Sequence, residues 1–150
     1  MDCIITEESF DWFSAYWQDN DDSLNWDNFF VLPPWLRIWQ QVFAPEDPLC
    51  FLVGRQKDRV IGIAPLMLVG QTASIIGSPD VCDYADFIVV PGKGTDFCTA
   101  LLGELKQRGV EYLHLASVRP DSVVMTLMKE AAEQYGCKVS CDEDLSLIHI

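Results

Sequence analysis

Two apolar runs rich in β-branched residues, 49–54 and 60–69, lie on either side of the polar tetrapeptide 56–59. Extended segments joined by such a short polar turn are typical of a β-hairpin. A hairpin this apolar has to pack against other elements, because a two-stranded ribbon alone is barely stable in water. The sequence therefore predicts a sheet at the centre of the fold, with these two strands inside it.

Helical patterns precede the hairpin. A short strand at 2–6 is predicted to lead into a first helix with Thr6 as its N-cap. Glu7 and Glu8 would then lie in the first turn, where acidic side chains interact favourably with the helix dipole. A second helix is predicted over about 35–43, after a double proline that can open a helix but cannot lie inside one.

The rest of the chain alternates between extended and helical patterns, and glycine and proline residues mark most of the boundaries. The predicted strands are 72–77, 86–90, 112–116 and 137–141, and the predicted helices are about 96–108 and 121–135. This order of elements predicts an α/β (α+β) domain in which a mixed, largely antiparallel sheet carries helices on both faces.

Charge and apolar content exclude several functional classes. The 150 residues carry a net charge of −13, which disfavours binding to nucleic acid or to an anionic membrane surface. Residues 1–36 hold eight acids and no lysine or arginine, so most of the acidity is predicted to form a solvated N-terminal face. No apolar run reaches the roughly 18–20 residues of a membrane-spanning helix. We therefore predict a cytoplasmic protein with reduced cysteines, no metal and no membrane insertion.

The order of elements resembles the layout of the GNAT acyltransferase superfamily. That resemblance implies a loop Arg/Gln-x-x-Gly-x-Gly/Ala, between a strand and a helix, that holds the pyrophosphate of coenzyme A on backbone N–H groups. A literal match at 59–64 lies inside the second strand of the hairpin and is followed by Pro65 instead of a helix. We interpret this match as accidental.

The loop in the equivalent position is 90–95, between the predicted strand 86–90 and the helix that follows it. Its Gly92, Gly94 and Thr95 are the candidate cofactor-binding residues. In the alternative interpretation, the two glycines only turn the chain and Thr95 caps the helix. The co-substrate implied by the resemblance is acetyl-CoA or another acyl-CoA, and the incomplete motif of this loop argues against its binding to this part of the enzyme.

Three further segments are similar to one branch of the superfamily, the CelD-like, cellulose-biosynthesis-associated proteins related to the FemAB peptidyltransferases. They are 30–39 (Phe-x-x-x-x-Trp-Leu-x-x-Trp), 60–66 (Val-x-Gly-Ile-Ala-Pro-Leu) and 83–87 (Asp-Tyr-x-Asp-Phe). The resemblance implies that residues 1–144 are the amino-terminal GNAT-like half of a tandem enzyme, whose second, catalytic domain is absent from this chain. It also implies that 145–150 are a truncated or non-native tail.

The segment 83–87 also supplies the candidate acceptor-site residues, Asp83, Tyr84 and Asp86. Two carboxylates and a phenol within four residues could bind an amine acceptor or accept a proton from it. Alternatively, the aspartates bond loop N–H groups and the tyrosine packs. No individual catalytic residue is assigned.

Two functions follow from these observations. The first is acyl transfer by the parent tandem enzyme from coenzyme A, or a related donor, to an amine or hydroxyl on a small molecule or glycan, in envelope or exopolysaccharide biosynthesis. This chain would then be the half that shapes the acceptor cleft, and it would be inactive alone. In such enzymes the acceptor attacks a thioester held beside a splay between two strands, without a metal or a covalent nucleophile. The second is a non-catalytic binding or scaffold module with a decayed donor site.

Overall fold

The computed structural model describes residues 2–19, 24–26, 28–43, 49–76, 85–116, 121–142 and 145–149. The elements, in chain order, are β1 (Ile4–Glu8), α1 (Phe10–Gln18), a 3-10 turn (Phe29–Val31), α2 (Pro33–Phe43), β2 (Leu49–Gln56), β3 (Arg59–Val69), β4 (Thr72–Ile75), β5 (Ile88–Val89), α3 (Gly94–Gln107), β6 (Tyr112–Ala116), a π-helical segment (Val124–Met128) that continues into α4 (Lys129–Gln134), β7 (Lys138–Asp142) and β8 (Leu145–His149).

The strands form one sheet in the order β1-β2-β3-β4-β6-β8-β7, with β5 paired to β3 beside β4. Within it, β4 and β6 run parallel and the other pairs are antiparallel. The predicted hairpin is β2 and β3, joined by Lys57 and Asp58, which have φ angles of 49° and 65°. Two left-handed residues are what a two-residue hairpin turn requires, because their twist matches that of the strands.

β4 and β5 act as one interrupted strand along β3. β4 pairs with β3 through residues 66–69 and β5 pairs with it through Gly62 and Ile63. β6 pairs with β4 through residues 112–114, and within the described residues it makes no ladder with β5. The sheet therefore opens between β5 and the carboxyl end of β6.

Helices cover both faces of the sheet because side chains alternate along the central strands. On β2, Phe51 and Val53 face the core formed with α1 and α2, whereas Cys50 and Leu52 face the core formed with α3 and α4. The Phe13 ring of α1 stacks on Phe51 at a centroid distance of 4.5 Å. The predicted sheet class and the two-sided arrangement of helices are confirmed.

Phe97 fixes the position of α3. Its side chain is fully buried against the sheet, over Gly54 of β2 and Gly62 of β3. A Cβ atom built on Gly62 would lie 2.5–2.7 Å from three atoms of the ring, and one on Gly54 would lie 2.6 Å from Phe97 Cδ1. The two strands thus present bare backbone where the ring packs. Gly62 belongs to the literal motif at 59–64, whose position inside a strand is confirmed.

The predicted start of the first helix is wrong. Glu7 and Glu8 belong to β1, where their backbone pairs with β2 and is not available to a helix. The helix begins after Ser9, whose Oγ accepts a hydrogen bond of 3.1 Å from the Trp12 N–H. Thr6 is a strand residue.

The N-terminal acids are not simply a solvated face. Glu7 accepts a hydrogen bond from Arg108 at the end of α3, and Glu8 lies 3.3 Å from Arg55 of β2. Asp11 pairs with Arg37 of α2. The Arg108 side chain lowers the pKa of the Glu7 carboxyl by hydrogen bonding. Three of the eight acids therefore tie their elements to neighbouring ones.

Residues 145–149 of the predicted tail form β8, which lies between β6 and β7 in the sheet and buries Ile148. The prediction that these residues are not native sequence stays a prediction. Among the described segments, every helix is too short or too polar to traverse a lipid bilayer.

A matched pair of glycine substitutions tests the Phe97 contact. We expect Gly62→Ala to lower the free energy of unfolding by about 1–3 kcal/mol, because the new methyl group overlaps a ring with no room to move. We expect Gly103→Ala, inside α3, to raise it by about 0.5–1 kcal/mol, because its Cβ would meet only Tyr135 Oη at 3.5 Å. Urea denaturation measures both. Equal changes of the same sign would contradict this account.

Candidate functional site

The loop after β5 makes a tight turn. The Val90 N–H donates to the Ile61 carbonyl at 2.8 Å, which holds the start of the loop against β3. The Lys93 N–H then donates to the Val90 carbonyl at 2.9 Å and closes a turn over Pro91 and Gly92. Gly92 has a φ of 87°, a value that side chains disfavour. The loop is therefore a rigid connection directly in front of α3.

The first turn of α3 has no side-chain cap within the described residues. Lys93 is the N-cap residue and its side chain makes no capping hydrogen bond. The first intrahelical hydrogen bond runs from the Phe97 N–H to the Lys93 carbonyl, at 3.1 Å. The N–H groups of Gly94, Thr95 and Asp96 come before this bond and have no acceptor within the helix. Thr95 is not the N-cap, because the helix begins one residue earlier. Unpaired N–H groups at a helix N-terminus favour an anion.

Gly94 has a packing role that its sequence position does not reveal. It is buried, and a Cβ atom there would overlap Leu127 of the π-helical segment. The end of the Leu127 side chain therefore packs directly on the backbone of α3 at Gly94. Of the two predicted loop glycines, Gly92 has open space around its Cβ position.

A small cavity of about 160 Å³ lies beside this loop. Gln56, Lys57 and Arg59 of the hairpin turn line one side of it, and Val90 and Lys93 line the other. The side-chain amide of buried Gln56 donates to Asp96 at 3.0 Å and so joins β2 to the first turn of α3.

Asp86 lies just before β5, at the opening of the sheet. Its Oδ1 accepts from the N–H groups of Phe87 at 2.8 Å and Val124 at 3.1 Å, and its Oδ2 accepts from Val123 at 3.0 Å. Burial raises the pKa of this carboxyl, and the three N–H donors act in the opposite direction. Asp86 thus caps the helix that follows β6 and joins the start of β5 to that helix.

The other two acceptor-site candidates, Asp83 and Tyr84, lie outside the described residues. The acceptor role of this segment stays a prediction, with Asp86 alone placed at the opening. Its two oxygens face backbone N–H groups, which is the structural alternative that the sequence left open.

Burial of the described cysteines disfavours their thiolate forms. Cys3, Cys50, Cys98 and Cys137 are free thiols. Burial raises the pKa of Cys50 and Cys98 to about 12, and it also raises those of Cys3 and Cys137. A thiol needs a lowered pKa to react as a thiolate at neutral pH. Within the described residues, no three His, Cys, Asp or Glu side chains are grouped as metal ligands.

Lys57 and Arg59 were not predicted as site residues, whereas Lys93 belongs to the predicted loop 90–95. The first two lie in the turn of the predicted hairpin and the third lies more than 30 positions later, in the loop. Only the pairing of β5 with β3 brings them to one cavity. Their positive charge in a strongly acidic chain is the signal that could have singled them out.

No protein-family model matches this chain, and no curated protein matches it in sequence. Its fold is similar to those of solved N-acetyltransferases. The ribosomal-protein-S18-alanine N-acetyltransferase from Escherichia coli is 17% identical over 97% of this chain and 90% of that one, with a TM-score of 0.52. The Thermoplasma acidophilum PaiA N-acetyltransferase, solved with coenzyme A, is 14% identical over 99% and 98%, with a TM-score of 0.52.

A third similar structure is the Campylobacter jejuni N-acetyltransferase PseH in complex with acetyl coenzyme A. It is 11% identical over 98% of both chains and has a TM-score of 0.56. At these identities the likeness concerns the fold. The chain therefore has a GNAT-type acetyltransferase fold, and the predicted fold class is confirmed.

The capping role of Asp86 is testable by amide substitution. We expect Asp86→Asn to lower the free energy of unfolding by about 1–3 kcal/mol, because the amide NH₂ would face an N–H donor of the helix. Asp58→Asn, at an exposed turn position that tolerates asparagine, is the control and should change stability by less than about 0.5 kcal/mol.

The same pair of variants has a predicted pH dependence. Because burial raises the folded-state pKa of Asp86, the folded protein keeps this proton to higher pH than the unfolded chain. The free energy of unfolding therefore falls as pH rises through that interval. The difference between wild type and Asp86→Asn, from urea denaturation, should be larger at pH 4 than at pH 7. A difference that grows with pH would contradict the raised pKa.

Proposed function

We propose that this chain is a coenzyme A-dependent acyltransferase domain, which binds an acyl-CoA at the start of α3 and serves an amine or hydroxyl acceptor. One observation carries the proposal. The turn over Pro91 and Gly92 leads directly into α3. The first N–H groups of this helix have no side-chain cap. This occurs in a fold whose solved relatives include proteins with coenzyme A or acetyl coenzyme A bound.

Backbone donors at this point suit a pyrophosphate. The N–H groups of Gly94, Thr95 and Asp96 would bind phosphate oxygens, and the positive end of the helix dipole would favour their charge. Gly92 would leave the approach open, since nothing lies within 4 Å of its Cβ position. One oxygen of the Asp96 carboxylate accepts a hydrogen bond from Gln56.

The opening between β5 and β6 is where we place the thioester. The residues around it, Ala85, Phe87 and Leu115, are buried and apolar, so water is excluded from the reacting carbon. The acceptor lone pair forms a bond to the thioester carbonyl carbon, the C–S bond breaks, and the acceptor proton ends on the released thiol. The raised pKa values of the described cysteines favour this direct attack over a thiol acyl intermediate.

We propose the finer assignment on sequence similarity alone. The segments 30–39, 60–66 and 83–87 support an amino-terminal half of a CelD-like, FemAB-related enzyme, acting in the cytoplasm on an envelope or exopolysaccharide precursor. Its partner would be a second GNAT-type domain in the same polypeptide, and under this finer assignment that domain would catalyse the transfer in place of this one. Sequencing the locus tests this, because a reading frame encoding that domain would support the assignment and a stop codon after Ile150 would overturn it.

A specific observation favours the second function, a non-catalytic binding or scaffold module. The donor-loop motif would use the space beside Gly94 for the ligand, but the Leu127 side chain occupies that space. In that case the fold would persist without donor binding. Calorimetry with acetyl-CoA separates the two functions, because saturable binding supports the acyltransferase and its absence leaves the scaffold.

Gly92→Val and Gly109→Val form a matched test of the donor loop. Both glycines have a positive φ and open space, and they flank the two ends of α3, so both variants should lose similar stability. Only Gly92→Val adds bulk and strain at the proposed pyrophosphate site. We expect it to weaken acetyl-CoA binding about tenfold or more.

The control should bind as wild type does. Equal affinities of the two variants would contradict the placement of the donor. Gly94→Pro is a poorer test, because a ring at that buried position would also displace Leu127.

A further inference from the structure

We infer that the cavity between the hairpin turn and the α3 loop is a binding site for the phosphomonoester on the ribose of coenzyme A. Lys57, Arg59 and Lys93 supply its charge. The inference rests on the proposed function, because it needs a coenzyme A whose pyrophosphate lies at the start of α3. It adds a specificity that the loop itself cannot provide, since backbone N–H groups do not distinguish one phosphate ester from another.

The three cations have no acidic partner among the residues that the structure describes. The described arginines that form ion pairs are Arg37, Arg55 and Arg108. Lys57, Arg59 and Lys93 form none, although the chain carries 23 acids against 10 basic residues. A concentration of unpaired positive charge in an acidic protein favours an anionic ligand over a structural role.

The position of the cavity suits a second phosphate of the same ligand. The Val90 N–H bonds to the Ile61 carbonyl, so the loop in front of α3 and the end of the hairpin are neighbours. Lys93 is both the N-cap of α3 and a wall of the cavity. A ligand at the helix N-terminus therefore lies directly beside the hairpin cations.

Size and charge define the ligand group. The volume of about 160 Å³ is well below the roughly 300 Å³ at which sites for drug-sized molecules begin, so the cavity suits a phosphate group better than a whole nucleoside. A phosphomonoester carries a charge of about −1.5 to −2 at pH 7. This is more negative than the charge on either phosphate of the coenzyme A pyrophosphate. The cavity combines three cationic side chains with the apolar residues Val60, Ile61 and Val90. Of the phosphates of coenzyme A, the phosphomonoester has the charge that suits these cations best.

The consequence is a choice of donor. Dephospho-CoA and the phosphopantetheine arm of a carrier protein both lack the ribose phosphomonoester. The cavity would make this domain prefer free acyl-CoA over either of them.

The experiment is calorimetric titration of the 150-residue protein with CoA and with dephospho-CoA at low salt. Wild type should bind CoA about tenfold more tightly, as expected for two charge-assisted contacts at an exposed site. Lys57→Ala/Arg59→Ala, which leaves Lys93 as the one cation of the cavity, should retain only a small part of the preference for CoA. Lys129→Ala/Lys138→Ala removes the same charge from α4 and β7 and should keep the preference.

Each other outcome overturns the inference and shows where the fault lies. Equal, measurable affinities of wild type for the two ligands would leave the proposed function standing and refute the phosphate site. A preference that is undiminished in Lys57→Ala/Arg59→Ala would place the discriminating residues elsewhere. Binding of neither ligand would overturn the proposed function together with the inference. Thermal melting checks folding, and Lys57→Asn, which suits the left-handed turn, repeats the test without strain.

Discussion

The packing of the Phe97 ring on Gly54 and Gly62 governs the geometry of this molecule. Without side chains at these two strand positions, α3 comes close enough to the sheet to bury the ring completely. The start of α3 is thereby fixed beside β5 and the hairpin turn, and a second close contact, Gly94 on Leu127, sets the π-helical segment against it. The loop, the cavity and the hydrogen bonds of Asp86 all lie next to these two contacts.

Charge is distributed so that the two ends of α3 differ. At its carboxyl end, Arg108 contacts Glu7 and Glu104, so the positive charge is neutralised and complements the helix dipole. At its amino end, Lys93 joins Lys57 and Arg59 around a cavity. The acidic N-terminal segment, which seemed only a solvated surface in the sequence, thus pairs with arginines elsewhere, while the cations beside the loop stay unpaired among the described residues.

The sequence was sufficient where local pattern and tertiary packing agree. The hairpin was predictable because both strands are buried and continuous, and α3 was predictable within two residues because Phe97, Leu101 and Leu105 share one face. The start of α1 was not, because Glu7 and Glu8 suit a first helical turn as well as they suit an edge strand. Only the pairing of β1 with β2 decides between the two.

The sequence by itself determined the class of fold, since the alternation of helical and extended patterns admits few layered arrangements. It also identified the loop before α3 and the Asp86 segment as candidate sites. The tertiary structure decided what those residues contact: Asp86 caps a helix 37 residues away, Gly94 accommodates Leu127, and three distant cations share one cavity. Such contacts depend on the register of the strands and the placement of the helices. Both are determined by the joint packing of side chains that lie far apart in the sequence.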